Sequence, residues 1–346
     1  MTKPQPSADL LPGRLVDRFG RRLHYLRLSI TDRCNLRCLY CMPSQGLAKL
    51  THREVLSLEE LARVARVAVS LGVDKIRLTG GEPLLRRNLD SLLKTLGGLT
   101  PRPDLRLTTN GILLAESLPM LRTRGVSTVN VSLDTLKPER YGAITGLGEE
   151  EGRRVFAQVW RGIEQGLAGG GLTVKLNAVL LAGVNDDEAS DFARLTMDLP
   201  LAVRFIEYMP VGRQTPFAPQ RFLPAEEILA GLRALGELIP LPLREGDGPA
   251  QRYRLAGAKG ELGVITALSS HFCANCNRLR LSAEGQLVPC LFSEETVDLK
   301  AILRAGAGDE ELAQALLAAA QAKPQRHEQS SHSHHSSGCQ MSRLGG

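Results

Sequence analysis

Six of the seven cysteines in this 346-residue chain fall into two groups of three. Cys34, Cys38 and Cys41 follow the spacing C-x3-C-x2-C; Cys273, Cys276 and Cys290 follow C-x2-C-x13-C. Cys339 stands apart in a polar tail and reads as a free thiol. In a reducing compartment, closely spaced thiols point to metal binding or catalysis. Structural zinc wants a closed tetrahedron, and each group offers three thiolates, so His24 or His271 would have to complete a set. Three thiolates also suit a [4Fe–4S] cube with one iron open to a non-protein ligand. An open iron is the useful arrangement, because a substrate or cofactor can coordinate it. The Cys34 group directly follows a β-rich run, at the end where barrels do their chemistry, which favours iron–sulfur there. By spacing alone the Cys273 group suits zinc and iron–sulfur equally.

Cations are the second source of chemistry. Lys75, Lys175 and Arg204 lie on β-rich runs, where a cation needs either a partner or a route to solvent. Arg278 and Arg280 alternate on one run and so share a strand face. Gly80-Gly81-Glu82-Pro83 follows another run and by itself reads as a tight turn. Neither G-x-x-x-x-G-K-[ST] nor G-x-G-x-x-G occurs, so any nucleotide phosphate must be held by side chains.

The elements that must position these residues alternate. Strands are predicted at Tyr25–Ile30, Lys75–Thr79, Leu105–Thr109, Thr128–Leu133, Leu172–Leu180 and Leu201–Glu207, several of them apolar throughout, as parallel strands covered on both faces are. Ser57 with Glu60 forms a capping box before a helical repeat that Gly72 stops. Helices follow at Asn88–Leu96, Leu114–Arg124, Gly152–Leu167, Asp186–Leu199 and Pro224–Leu235. Six strand–helix units predict an α/β fold, a partial (β/α)6 TIM-like barrel across residues 1–240. Residues 241–322 read as a C-terminal α+β extension carrying the second cysteine group. Its predicted strands are Arg252–Leu255, Leu262–Thr266, Arg278–Leu281 and Gln286–Pro289, with a turn at Ala283–Gly285 and helices at Leu299–Ala305 and Glu310–Ala322. Residues 323–346 read as a flexible tail, disordered from Lys323 to Cys339 and ending in Gly345-Gly346. Within it His332, His334 and His335 read as a solvated linker.

Composition narrows the class. Hydrophobic residues make up 43% and charged residues 23%, which excludes a collagen or a largely disordered chain. A net charge of +6 suits an anionic small substrate as well as a nucleic acid, but aromatics at 4% speak against a base-stacking surface. No apolar run is long enough for a membrane span. Met1–Pro12 lacks an apolar signal core, and a cytoplasmic setting is expected.

Arg27-Leu-Ser-Ile-Thr-Asp-Arg-Cys34-Asn-Leu-Arg-Cys38-Leu-Tyr-Cys41-Met-Pro43 resembles the radical S-adenosylmethionine superfamily. Five further blocks narrow the likeness to the GTP 3′,8-cyclase family of molybdenum cofactor biosynthesis: Lys75–Pro83, Thr108–Gly111, Asn130–Asp134, Arg204–Met209 and His271–Leu281. The resemblance runs from about Leu23 to Ala322 and resumes at the terminal Gly-Gly. It implies two [4Fe–4S] clusters, one on Cys34, Cys38 and Cys41, the other on Cys273, Cys276 and Cys290. The first would bind S-adenosylmethionine and cleave it to a 5′-deoxyadenosyl radical; the second would bind the guanine of GTP. The radical would remove the ribose 3′ hydrogen and the sugar would close onto C8, giving 3′,8-cyclo-7,8-dihydro-GTP.

Residue by residue, the resemblance implies cofactor contacts at Tyr40, Gly81, Thr108, Ser132 and Met209. It implies triphosphate contacts at Lys75, Lys175 and Arg204, and a set near the nucleotide of Arg27, Arg77, Arg278 and Arg280. The implied catalytic set is Cys34, Cys38, Cys41, Arg278 and Arg280, with the Gly-Gly end reaching the active site. It further implies a low-potential electron donor, a downstream pyranopterin monophosphate synthase and a homodimer, with no membrane or nucleic-acid partner. Two other readings stand beside it. One is a radical enzyme acting on a peptide or RNA; the other is a two-site zinc protein that binds nucleic acid.

Overall fold

Short runs such as Tyr25-Leu-Arg-Leu-Ser29 place leucine at every second position, so one strand face is apolar and the other polar. That alternation organises the molecule. In the computed structural model, which describes residues 14–43, 45–212, 217–242, 248–330 and 340–345, the chain begins β1 (Tyr25–Ser29), α1 (Leu58–Ser70), β2 (Lys75–Thr79), α2 (Leu89–Gly97), β3 (Asp104–Thr109), α3 (Leu114–Thr123) and β4 (Val126–Ser132). It continues through α4 (Pro138–Thr145), α5 (Glu149–Ala168), β5 (Thr173–Val179), α6 (Ala189–Asp198), β6 (Ala202–Ile206) and α7 (Ala225–Arg233). Then come β7 (Leu238–Pro240), β8 (Gln251–Leu255), β9 (Glu261–Ile265), β10 (Arg278–Leu281), β11 (Gln286–Val288) and β12 (Val297–Asp298). Helices α8 (Leu299–Arg304), α9 (Asp309–Gln321) and α10 (Met341–Leu344) close it. Cys339, His332, His334, His335 and Gly346 lie outside the described residues.

All twelve strands form one sheet, in the order β12-β11-β10-β1-β2-β3-β4-β5-β6-β9-β8-β7. β1 to β6 are successive parallel neighbours, as the strand–helix alternation predicts. The two C-terminal hairpins form as predicted, β8 with β9 and β10 with β11. They do more than the sequence indicated. β10 lies parallel against β1 and β9 parallel against β6, so the antiparallel extension continues the barrel at both flanks. The outward leucines and valines pack under the helices: Leu26, Leu28, Ile76, Leu78, Leu105, Leu107, Val203 and Leu279 are almost wholly buried in one core. Strands read as apolar throughout thus have a second, polar face turned to the lumen.

Three expectations change. Helices α4 and α10 and the short strands β7 and β12 were not foreseen. Asp186–Leu199 is a 3-10 turn over Asp186–Glu188 followed by α6. Residues 323–330, expected in a disordered tail, pack against the barrel, with Lys323 at 2% and His327 at 8% exposure. Among the described residues no helix is long and apolar enough to cross a membrane.

The capping box at α1 forms in full. Ser57 Oγ accepts from the Glu60 amide at 3.1 Å, and the Glu60 carboxylate accepts from the Ser57 amide at 2.7 Å. Ser57→Ala is expected to lower stability by about 1 kcal/mol, read as a lower urea midpoint with an unchanged slope.

Candidate active site

Beyond β1 the chain runs into the Cys34 loop at the C-terminal end of the barrel. The turn after β2 and the end of α4 hold the loop by its backbone. Gly81 N donates to Thr31 O at 2.8 Å, Glu82 N to Arg33 O at 2.7 Å and Arg37 N to Thr145 O at 2.8 Å. The contact between the Gly80-Gly81 turn and the loop is close. A Cβ on Gly81 would lie 2.4 Å from Arg33 O, and one on Gly80, whose φ is +150°, 2.6 Å from Thr31 O. Glu82 is fully buried and accepts from Thr109 Oγ1, the Asn110 amide and the Leu84 amide, so it ties the turn after β2 to the end of β3. Burial pushes its carboxyl up to about 7 against those donors.

The three thiols of this loop act on one another. Burial, then Asp134, Cys41 and Cys34 push the Cys38 thiol well above its ordinary range. Burial, then Cys34 and Asp134 push Cys41 up to about 12. Burial raises Cys34, although the Leu36 amide donates to its sulfur at 3.4 Å. Such crowded thiols release protons when a cation binds among them. Tyr40, between two of them, donates its phenol to Asp134 at 2.8 Å.

Below the loop the inward residues form a row of like charge. Arg280, Arg27, Arg77 and Arg106 are register partners on β10, β1, β2 and β3. Adjacent strands stand about 4.8 Å apart, so four guanidiniums share one level of the lumen. Burial, then Arg280 and other arginines hold Arg27 well below its ordinary range, and burial with Arg278 brings Arg280 down to about 10. Arg77 donates to the Tyr25 phenol at 2.5 Å and to Leu107 O at 2.7 Å. Burial would raise the Tyr25 phenol, but Arg77 and Arg27 outweigh it and bring the phenol to about 7. Asp104 meets Arg106 at 2.6 Å. Further round the barrel Asn130 Oδ1 and Asn177 Oδ1 are buried without a hydrogen-bond partner.

The second cysteine group lies at the other end of the barrel. Cys276 comes two residues before β10 and Cys290 two residues after the antiparallel β11, so both sit at the N-terminal end of the parallel strands. β1, between the two groups, spans about 16 Å. Cys273, Cys276, Cys290, Arg278 and Arg280 line the lumen together with Arg27, Arg204 and Met209. Burial would raise the Cys276 thiol, but Arg278, Lys323 and Arg280 bring it to about 6. Burial, then Cys290 and Cys276 raise Cys273. A larger cavity of ≈ 1260 Å³ opens beside this end, lined by Lys75, Lys175, Arg204 and Arg106. Burial, then Arg204 and Arg106 lower Lys175 to about 8.

These donor sets fit iron–sulfur clusters and an anion. Each end offers three thiols, and the lumen between them holds cations in excess of carboxylates. The zinc alternative loses a ligand, because His24 Nδ1 meets Asp74 at 2.7 Å and Nε2 meets Asn277 at 2.9 Å. Among the described residues no three His, Cys, Asp or Glu side chains close on a single-ion site.

Comparison with known proteins agrees. The Radical SAM superfamily pattern matches residues 28–196, and Molybdenum Cofactor Synthesis C matches residues 201–329. GTP 3′,8-cyclase of Desulforamulus reducens is 48% identical over 314 residues, 90% of this chain and 95% of the relative. The chain belongs to the GTP 3′,8-cyclase family. A relative from Geobacter sulfurreducens is 45% identical over 96% of this chain and 99% of its own. Among solved structures, SuiB of Streptococcus suis shares the fold with a TM-score of 0.56 at 16% identity, covering 84% of this chain and 68% of that one.

In this family member the sites singled out in the sequence gather at three levels. Cys34, Cys38, Cys41, Tyr40, Gly81, Thr108 and Ser132 lie at or near the C-terminal ends of the strands. Thr108 Oγ1 accepts from Arg77 at 3.3 Å, and Ser132 ends β4 opposite Asn177. Arg27, Arg77, Arg204, Arg280 and Met209 occupy the lumen, while Lys75, Lys175 and Arg278 stand toward the second cysteine group. Gly345 also lines the lumen; a Cβ there would lie 2.2 Å from Thr79 Oγ1, and Thr79 donates to Leu344 O at 3.1 Å. Sequence reasoning missed Arg106, Tyr25, Asn130 and Asn177. The signal for Arg106 was present: Leu26-Arg-Leu28, Leu105-Arg-Leu107 and Leu279-Arg-Leu281 repeat one tripeptide, and Ile76-Arg-Leu78 differs from it by one aliphatic residue.

Gly81→Ala is expected to displace the Cys34 loop. After anaerobic reconstitution its iron content should fall by roughly half, about four irons, with the Cys273 group still loaded.

Proposed function

We infer that this chain is a GTP 3′,8-cyclase acting in molybdenum cofactor biosynthesis. The observation that carries the reading is the row Arg280–Arg27–Arg77–Arg106, a cationic lumen with three cysteines toward each end. Cys34, Cys38 and Cys41 would hold one [4Fe–4S] cluster and S-adenosylmethionine; Cys273, Cys276 and Cys290 would hold the second. When bound, these groups supply low-potential electron transfer and the one-electron chemistry that breaks the ribose C3′–H bond.

The chain's own residues do the rest. Lys75, Lys175 and Arg204 take the triphosphate, which a point charge or a planar fork each binds well. Arg27, Arg77, Arg278 and Arg280 hold the nucleotide along the lumen, with the guanine toward the second cysteine group and the ribose toward the first. Gly81, Thr108, Ser132, Met209 and the Tyr40 backbone orient S-adenosylmethionine. Fixing C3′ and C8 of one molecule side by side makes ring closure intramolecular, worth a large effective molarity. Barrel walls and the C-terminal Gly345 keep water from the reacting carbon. The reading carries with it a low-potential electron donor, a separate synthase that converts the product to cyclic pyranopterin monophosphate, a cytoplasmic setting and a homodimer.

The test is anaerobic incubation of the iron-reconstituted protein with reductant, S-adenosylmethionine and GTP. Matching amounts of 5′-deoxyadenosine and 3′,8-cyclo-7,8-dihydro-GTP are expected. Cys38→Ser should abolish both, and Cys276→Ser should abolish only the cyclised product. GTP that neither stimulates 5′-deoxyadenosine nor yields an isomer overturns the reading.

A pH dependence follows from Lys175. Its ammonium, lowered to about 8, is the form that binds phosphate, so GTP affinity should fall as pH rises through 8. Binding at pH 8 should take up protons, measurable by calorimetry in buffers of different ionisation enthalpy. Lys175→Arg, charged throughout, should flatten the KM profile between pH 7.5 and 9.

A further inference from the structure

Lys323 follows α9 directly and is 2% exposed. A buried ammonium is costly unless its donors and its charge are answered. Its Nζ donates to Pro289 O at 2.6 Å and to Arg278 O at 2.9 Å. Pro289 immediately precedes Cys290, and Arg278 comes two residues after Cys276. One side chain therefore joins the two chain segments that present these cysteines. Two of its three N–H donors are used by the carbonyls, and the residue lines the lumen beside the thiols.

The third cysteine is held from the opposite side. Arg21 donates to Cys273 O at 2.7 Å, to Gln325 O at 3.0 Å and to Pro324 O at 2.6 Å. Asp17 fixes Arg21 at 2.5 Å. Residues 323–325 are thus tied to all three cysteine segments, through the Lys323 side chain and through Arg21. The Cys34 loop is held mainly by backbone hydrogen bonds, with Gln340 donating to Cys41 O at 2.9 Å.

We propose that Lys323 is the positioning residue of the second cysteine site, setting the spacing at which Cys276 and Cys290 share a cluster and placing a positive charge behind it. This rests on the second-cluster reading above. A methionine of similar length would fill the space but would neither draw the two carbonyls together nor offset the charge of the thiolates.

The test compares the wild type, Cys276→Ser, Lys323→Met, Lys323→Gln and Lys323→Arg. Iron and acid-labile sulfide are measured after anaerobic reconstitution, together with the EPR spectrum of the reduced protein. The wild type is expected to hold about eight irons per chain, two cubes of four, and Cys276→Ser about four. Lys323→Met should lose at least half of the second-cluster iron, or keep it with a shifted EPR signal. Lys323→Gln, able to reach one carbonyl, should fall between and serves if the methionine variant fails to fold. Lys323→Arg should restore most of the signal. Thermal unfolding of the iron-free variants reports packing separately. A lowered Tm with wild-type iron content and an unchanged spectrum means a packing role only, and overturns the proposal. A wild type that itself holds only four irons overturns the second-cluster reading and the proposal with it.

Discussion

Four arginines at one level of a barrel lumen repel one another, and the architecture has to contain that repulsion. Rigid hydrogen-bonded strands do so first, because Arg280, Arg27, Arg77 and Arg106 sit on neighbouring strands that cannot drift apart. The outward leucines between them are locked under helices, which fixes the inward direction of each guanidinium. Partial compensation comes from Tyr25 and Asp104. What remains is a preorganised positive field in a space of low dielectric, where an anion gains far more than it would in water. The barrel is thus built against its own electrostatics so that a polyanion can complete it.

The same constraint explains why the C-terminal hairpins belong to the barrel sheet. β10 brings Arg280 into the row and Arg278 just below it, and the turn before β10 brings Cys276 to the far end. One strand thereby carries two lumen cations and leads from a cysteine segment, in fixed register with β1. A separate domain on a linker could not hold that relation to within an ångström, and the intended chemistry needs two atoms of one molecule held between two ends of one tube.

Much of this was legible in the sequence, for identifiable reasons. Ser57 and Glu60 announce α1 because a capping box is a local interaction. The strand–helix alternation gave the six parallel strands in order because each unit packs next to its predecessor. Cys34, Cys38 and Cys41 stood out through spacing and through their place after a strand. What escaped depends on distant pairing. Arg106 was not singled out, because only register aligns it with Arg77. Lys323 sat at the edge of a polar, low-complexity tail, and only the fold shows that two carbonyls from β10 and the end of β11 converge on it. Expecting the end of the barrel at β6 was a natural consequence of counting local units, since β9 and β10 pair across long stretches of chain.

The pairing of β10 with β1 also orders events in time. Asn277 meets His24 across 253 residues of sequence. During synthesis β1 therefore waits, with one edge bare, until β10 is made. Closing so long a loop costs conformational entropy before any contact repays it, and such pairings are slow. Gly345, wedged against Thr79, arrives later still. The edge of β1 that β10 covers is thus bare while β2 to β6 assemble beside its other edge.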